Sequence, residues 1–289
     1  MTNRPHEIEQ WSNSRLVHPV SERVAQWAMS VGLSANTVSV AGLLSLAAAG
    51  ALFALSTWPF GAFAGAVLVF ISHVFDGADG MVARHAGTPS PYGEVIDGVC
   101  DYLGYAILYA AVWYLLLQQM DWKTASVIII IAAISHVFQV NHYETRRRRY
   151  CHRVYGMPWL GSEDGRLPLR TGNNGIAWYY YYPTNLYVGT SNWLNRENDE
   201  IIETLGRLGS PSGWKEFNEI SVTRIKQKAI LSQNTKSAIL SVAMIAQCPL
   251  CYVVFVGVVL NLALLFFRIC ERREDRMLAA KLQGGSCPT

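Results

Sequence analysis

Charged residues are scarce in this sequence of 289 residues. They make up 16% of the chain, against about 25% in an average soluble protein. Apolar residues make up 51%, too many for a disordered chain. These two figures exclude an ordinary soluble enzyme, a disordered chain and a collagen-like chain.

The six cysteines lack the spacing of a zinc site or of a disulfide framework. Cys248 and Cys251 are close in sequence, but they flank Pro249 within an apolar run and have no second pair nearby. We therefore expect neither structural zinc nor a disulfide framework.

The apolar residues are concentrated in six runs that we interpret as transmembrane helices. The fifth is too short to span a bilayer unless it begins earlier and includes Asn234, Thr235 and Lys236. A polar, amphipathic segment, Pro19–Val31, is expected to lie as a helix on the membrane surface. The six runs are 38–55, 60–75, 99–117, 125–140, 238–247 and 250–269.

The expected fold class is therefore all-α: a polytopic membrane protein with six transmembrane helices, an N-terminal surface amphipathic helix and a cytoplasmic insert between helices 4 and 5. Within the insert, 198–208 is predicted to form a short amphipathic helix. The expected domains are an N-terminal segment (1–36), helices 1–4 (37–143), the insert (144–230), helices 5–6 (231–272) and a cytoplasmic tail (273–289).

Basic residues lie almost entirely on one side of this topology. Of the 24 lysines and arginines, 23 fall on the side that carries both termini, and only Lys123 falls on the other. Lysine and arginine accumulate on the cytoplasmic side of membranes. We therefore expect both termini and the insert in the cytoplasm, and the inner membrane as the location if the source is bacterial.

Four aspartates cluster where the second and third runs meet. Asp76 and Asp79 share one helical face with Gly80, and Asp97 and Asp101 share another. Residues 87–91, Gly-Thr-Pro-Ser-Pro, break the helix between them, so the two faces can meet. Four carboxylates at a membrane edge repel one another and are costly to desolvate.

A hard divalent cation resolves that repulsion. An all-carboxylate site selects Mg²⁺ or Mn²⁺, and four ligands suffice for two ions. Gly80 and Gly93 allow close approach of a ligand, and Arg84 offers a guanidinium fork for phosphate oxygens. The alternative is a pair of helices ending in solvated acids.

This stretch resembles the signature of the CDP-alcohol phosphotransferase family, D-x-x-D-G-x-x-A-R-x8-G-x-x-x-D-x-x-x-D, at every fixed position. The resemblance implies a six-helix membrane enzyme that transfers a substituted phosphate from a CDP-linked donor to an alcohol and releases CMP. It further implies Asp101 as the general base and as a metal ligand, together with the ligands Asp76, Asp79 and Asp97.

By the same resemblance, Gly80, Ala83, Arg84 and Gly93 line the site of the CDP-linked donor. The segment 34–39 before the first run resembles another family segment, T-P-N-x-V-T, with Ser and Ala replacing Thr and Pro. Two interpretations of Asn36 and Ser39 stay open. They either face the nucleotide or cap the first transmembrane helix.

Four further side chains are candidates for contacts with the acceptor or a phosphate: Lys236, His136, Arg146 and Arg147. Each has a plainer alternative. Lys236 would be a snorkelling lysine at a helix end and His136 a structural histidine. Arg146 and Arg147, in a run of four arginines, would bind anionic lipid or enforce the topology.

Two donor classes and two rival functions remain at this point. The donor is CDP-diacylglycerol, which we favour, or a CDP-linked headgroup such as CDP-choline, CDP-ethanolamine or a CDP-polyol, with a lipid alcohol as acceptor. The rivals are an intramembrane prenyltransferase, which needs a second aspartate motif, and an ion carrier, which generally shows internal repeats. No nucleic-acid partner is expected, and a homodimer is left open.

Overall fold

The computed structural model describes residues 5–55, 59–87, 91–157 and 201–284. Within these ranges the chain is helical, with no strand. Beside a helical segment at 201–208, the α-helices are α1 (His18–Ser30), α2 (Ala35–Leu55), α3 (Pro59–His85), α4 (Pro91–Leu116), α5 (Trp122–Tyr155), α6 (Pro211–Gln227), α7 (Gln233–Ile245), α8 (Pro249–Val254) and α9 (Leu260–Gly284).

Five helical stretches in the described part are long and apolar enough to cross a membrane. They are Ala35–Leu55, Phe60–His85, Ile96–Leu116, Trp122–Tyr155 and Pro249–Lys281, where α8 continues into α9 through a π-helical turn. The predicted fifth run corresponds to α7, which begins at Gln233 and so includes Asn234, Thr235 and Lys236. At about 1.5 Å per residue, its 13 residues are too short to span a bilayer. The count of six therefore stays a prediction.

Local sequence explains the limits of α5. The Asp121 side chain accepts hydrogen bonds from the backbone N–H groups of Lys123 and Thr124 at 3.0 and 3.1 Å, which caps the N-terminus. Gly156, with φ of 64°, ends the helix in the left-handed conformation. The helix thus continues well past residue 140, where the predicted transmembrane run ended, and past the predicted domain boundary at 143.

Helix α1 packs against α3 through a close contact of small residues. The Ser21 hydroxyl donates to the Val74 carbonyl at 2.9 Å. A Cβ on Gly77 would lie 2.5 Å from Ser21 Oγ, so glycine is required at this crossing. Trp27 of this helix and Val31, which follows it, are large apolar residues that are exposed. Contact of α1 with a membrane surface stays a prediction.

The N-terminal segment, α6 and the C-terminal half of α9 lie at the same end of the helix bundle. Glu7 accepts a hydrogen bond from Tyr150 near the C-terminus of α5. Lys228, which follows α6, pairs with Glu271 in α9. The chain leaves this end through α7 and returns through α8 and α9.

A disulfide joins Cys248 and Cys251 at the opposite end of the bundle. The cysteine spacing alone did not indicate this bond. It forms because the turn between α7 and α8, with Pro249 at the helix start, brings the two Cα atoms to 5.3 Å.

The described part of the long segment between α5 and α7 folds against α9. Ile201 and Leu205 are buried with Phe217 of α6 and Leu278 of α9. The helix predicted over 198–208 is present over its described part, 201–208, and its last residue, Leu208, is exposed.

Candidate active site

Helices α3 and α4 bring the four aspartates to one cleft. Asp76 and Asp79 lie one turn apart on α3, and Asp97 and Asp101 lie one turn apart on α4. All four line a cleft of about 250 Å³, together with Ser39 of α2. The sequence therefore predicted correctly that the two aspartate faces meet, although residues 88–90 between the helices lie outside the described part.

The carboxylates are held by partners of different kinds. Asp79 is buried and accepts a hydrogen bond from Ser39 Oγ at 2.5 Å. Asp76 and Asp97 are within hydrogen-bonding reach of each other. A cation or a shared proton must compensate the mutual repulsion of such close carboxylates.

The donor set fits a hard divalent cation, because carboxylate oxygens are the ligands that Mg²⁺ and Mn²⁺ prefer. In the described part of the chain, however, no three ligating side chains converge on one point as a metal site requires. The residues therefore suit such an ion by their chemistry and because they line one cleft.

The rest of the signature lies on the two helices that carry the aspartates. Arg84 is exposed in the last turn of α3. A Cβ on Gly80 would lie 3.2 Å from Arg84 Nη1, so glycine gives the guanidinium room against the helix. Ala83 is half-buried on the same helix, and Gly93 is half-buried in the first turn of α4.

The two open interpretations of Asn36 and Ser39 separate in the structure. Ser34 caps α2, because its Oγ accepts a hydrogen bond from the Thr37 backbone N–H at 3.2 Å. Ser39 is buried in the aspartate cleft, whereas Asn36 is exposed in the first turn of α2. Neither residue makes the cap.

A family model, CDP-alcohol phosphatidyltransferase, matches residues 33–193, more than half of the chain. The chain belongs to this family. The match includes α2 to α5, and therefore all four helices that carry the aspartates, Ser39 and the arginine run. As a member, the chain is a transferase.

Curated relatives of this transferase are phosphatidylinositol phosphate synthases. The protein from Mycobacterium tuberculosis (strain ATCC 25618 / H37Rv) is 28% identical over 120 residues, which is 41% of this chain and 54% of the relative. The protein from Mycolicibacterium smegmatis is 31% identical over 117 residues, 40% of this chain and 51% of the relative. The chain spans about half the length of the curated relatives it matches.

The transferase has a contact to Asp101 that the sequence did not predict. Gln233, at the start of α7, donates a hydrogen bond from Nε2 to Asp101 Oδ2 at 3.0 Å. The next residue, Asn234, donates to Gln10 and Asn13 of the N-terminal segment. The polar start of the fifth apolar run was the available signal, but it could not indicate which residue faces Asp101.

The predicted acceptor contacts His136 and Lys236 are buried away from the cleft lining. His136 is bonded through Nδ1 to the Tyr109 hydroxyl at 3.1 Å, and its ring packs against Tyr105. Lys236 is fully buried and donates from Nζ to the Leu231 carbonyl at 2.5 Å. Both are engaged in contacts with the protein itself.

Arg146 and Arg147 point to different parts of the transferase. Arg147 donates twice to Glu144, at 2.6 and 3.0 Å, and the charge of Glu144 acts on Asp101. Arg146 is buried and pairs with Glu271 of α9 at 3.3 Å. Of the two arginines, Arg147 is therefore the one on the side of the aspartates.

Proposed function

We propose that this transferase moves a substituted phosphate from a CDP-linked donor to the hydroxyl of an alcohol and releases CMP. The observation that carries the proposal is the shared cleft of Asp76, Asp79, Asp97 and Asp101 in a member of the CDP-alcohol family. The curated relatives match only part of the chain, and their names support a phospholipid as the product.

The four carboxylates are proposed to hold Mg²⁺ or Mn²⁺, with two ions shared among them. Asp76, Asp79 and Asp97 serve as ligands, and Asp101 is a further ligand. The bound metal supplies positive charge that neutralises the pyrophosphate of the donor. Ser39 fixes one carboxylate of this set, since it donates to Asp79.

The residues at the cleft entrance are proposed to bind the donor. Arg84 pairs with phosphate oxygens through its guanidinium fork. Gly80, Ala83 and Gly93 leave room for the nucleotide close to the backbone. Ser39 and Asn36 contribute polar atoms from the start of α2.

Asp101 is proposed as the general base. It accepts the proton of the acceptor hydroxyl while that oxygen bonds to the β-phosphorus of the donor. The bond between the β-phosphorus and the bridging oxygen then breaks, and CMP leaves in line. Gln233 holds the Asp101 carboxylate in one orientation through its amide.

For the substrates we favour CDP-diacylglycerol as donor and a small alcohol or alcohol phosphate as acceptor. The relatives are named phosphatidylinositol phosphate synthases, which favours a phosphatidyl transfer. The runner-up is a CDP-choline, CDP-ethanolamine or CDP-polyol donor with a lipid alcohol as acceptor. The aspartate cleft is proposed to bind the cytidine and pyrophosphate, which both classes of donor contain, so it does not distinguish between them.

We further propose that the active site and both termini face the cytoplasm. The distribution of 23 of 24 basic residues supports this orientation. The disulfide between Cys248 and Cys251 lies at the other end of the bundle, and disulfides persist in oxidising compartments outside the cytoplasm.

The deciding experiment incubates purified protein and Mg²⁺ with CDP-diacylglycerol or CDP-choline, each with and without a panel of acceptor alcohols. Release of CMP with formation of a phospholipid, identified by mass spectrometry, is the expected result. Release of pyrophosphate would indicate a prenyltransferase instead. Ion flux in liposomes without CMP release would indicate a carrier.

A further inference from the structure

A second cleft, rich in positive charge, lies between α5, α6 and α9. Its space, part of which is open to solvent, is about 330 Å³. Among the residues that the structure describes, five basic side chains line it, against one carboxylate, that of Glu271. The basic residues are Arg146, Arg149 and Arg153 of α5, Arg224 of α6 and Lys228 directly after α6.

The acidic residues around this cleft leave one donor of Arg146 without a hydrogen-bond partner in the described part of the chain. Glu271 is shared between Arg146 and Lys228. Arg224 is engaged by Glu274 and Asp275, at 2.8 and 2.6 Å. Arg146 is 8% exposed, and its Nε has no hydrogen-bond partner in the described part of the chain. A buried donor without a partner is costly, and an anion in the cleft would remove that cost.

One arginine of the cleft is already held in a fixed position. The Arg153 guanidinium donates to Asn218 at 3.1 Å and to Ser221 at 3.2 Å, and it packs on the Phe217 ring at 4.6 Å. These contacts reduce the entropy lost when a ligand binds. Ser221 also lines the cleft and adds a hydroxyl to the cationic wall.

The second cleft is separate from the aspartate cleft. Residues 144 and 146 are two positions apart on α5 and therefore about 200° apart around the helix. Glu144 and its partner Arg147 are on the side that acts on Asp101, whereas Arg146, Arg149 and Arg153 face α6. Among the residues with a described position, the two clefts share no lining residue.

We propose that this cleft is a binding site for a phosphate group, carried either by the headgroup of an anionic lipid or by a soluble phosphate. Arginine is suited to this task because its fork matches two phosphate oxygens at once. The proposal assigns Arg146 to this site rather than to the acceptor. It is independent of the proposed transfer reaction, because none of the described residues that line this cleft lines the cleft of the four aspartates.

The test measures binding without catalysis. Purified full-length protein in an uncharged detergent with EDTA is titrated with inorganic phosphate by calorimetry. In parallel, protein in nanodiscs of phosphatidylcholine, with or without phosphatidic acid, is examined for retained lipid by native mass spectrometry. The variants are Arg149→Gln and Arg153→Gln, with Arg276→Gln as a charge-matched control on the exposed face of α9.

We expect the two cleft variants to weaken binding about tenfold each, the effect of one charge-assisted hydrogen bond. Arg276→Gln and Asp76→Ala should bind like the wild type, which separates this site from the catalytic one. If the cleft variants lose the binding of inorganic phosphate that the wild type shows in detergent, the ligand is a soluble phosphate. If they lose only the retained phosphatidic acid, the ligand is a lipid headgroup.

The proposal is overturned if neither ligand binds the wild type, or if the cleft variants bind both ligands as the wild type does. Equal weakening by Arg276→Gln would also overturn it, because the effect would then reflect net charge. The melting temperature of each variant and the substitution Arg153→Lys, which keeps the charge, guard against a loss caused by misfolding.

Discussion

Gln233, the first residue of α7, donates a hydrogen bond to Asp101 Oδ2 across 3.0 Å, although 132 positions separate the two residues in sequence. The contact ties the start of α7 to the residue proposed as the general base. It also explains why Gln233 and its neighbours interrupt the apolar pattern at this point.

Replacing Gln233 by Ala should therefore slow the reaction without weakening the binding of the CDP-linked donor. A hydrogen bond to a charged group contributes about 1.5–3 kcal/mol, so kcat should fall about tenfold or more. The donor Kd should change less than twofold. Gln227→Ala, at an exposed glutamine that ends α6, is the matched control. A Gln233→Ala enzyme with wild-type kcat would show that the contact has no role in catalysis.

Asp101→Asn and Asp76→Ala should separate the base from the metal ligands. Asparagine keeps the shape of Asp101 but accepts no proton at neutral pH, so kcat should fall about 10²–10⁴-fold. The donor Kd of Asp101→Asn should change little. Asp76→Ala, by contrast, should raise the donor Kd and lower kcat together. The measurements are calorimetry of donor binding and single-turnover rates. Equal damage to donor binding in both variants would make Asp101 mainly a ligand.

Ser39→Ala should reduce the apparent affinity for Mg²⁺ several-fold. The substitution removes the hydrogen bond that orients the buried Asp79 carboxylate. The dependence of the rate on Mg²⁺ concentration is the measurement. Ser45→Ala is the matched control, because Ser45 lies on the same helix and bonds to the Ala41 carbonyl. An unchanged Mg²⁺ dependence in Ser39→Ala would argue against Asp79 as a ligand.

The stability of the protein should rise with pH above neutrality because of Lys228. Burial, reinforced by the Arg146 charge, lowers the pKa of this ammonium to about 7 despite its ion pair with Glu271. Arg224 of α6 and His142 of α5 also face it. In the unfolded chain a lysine titrates near about 10.4. Between these values the unfolded state holds the extra proton, so the free energy of unfolding increases with pH, by at most about 1.4 kcal/mol per unit.

The corresponding measurement is the melting temperature in detergent between pH 7 and 9 for the wild type and Lys228→Met. The melting temperature of the wild type should rise relative to that of Lys228→Met as the pH rises. A difference that does not depend on pH would contradict the lowered pKa.

Labelling from outside intact cells should report the orientation of the bundle. A cysteine at Lys123, at the disulfide end, should react with an impermeant thiol reagent, and one at Arg207, beside the long segment, should not. Both side chains are exposed, which makes them comparable. The opposite pattern of labelling would invert the topology.

Local spacing predicted the aspartate cleft because it depends on residues one turn apart and on one helix break. Asp76 and Asp79 share a face for geometric reasons, and so do Asp97 and Asp101. The fifth run does begin at a polar segment, as predicted, but the length that a bilayer requires does not explain this start, because α7 has only 13 residues.

Contacts between distant parts of the chain could not be predicted from local spacing. Whether Arg146 or Arg147 faces the aspartates depends on the rotation of α5 against α6 and α9, which no local pattern specifies. The burial of His136 against Tyr105 and Tyr109, and the pairing of Gln233 with Asp101, likewise depend on how the helices pack.

The shortness of α7 has a consequence for how the protein is made. A helix of 13 residues that contains a buried lysine does not partition into a bilayer by itself. Only three residues, 246–248, separate it from the apolar α8. We therefore expect the two segments to enter the membrane together as a hairpin, after α8 has been synthesised. Assembly of the proposed active site, in which Gln233 at the start of α7 contacts Asp101, would then depend on a segment that follows it in the chain.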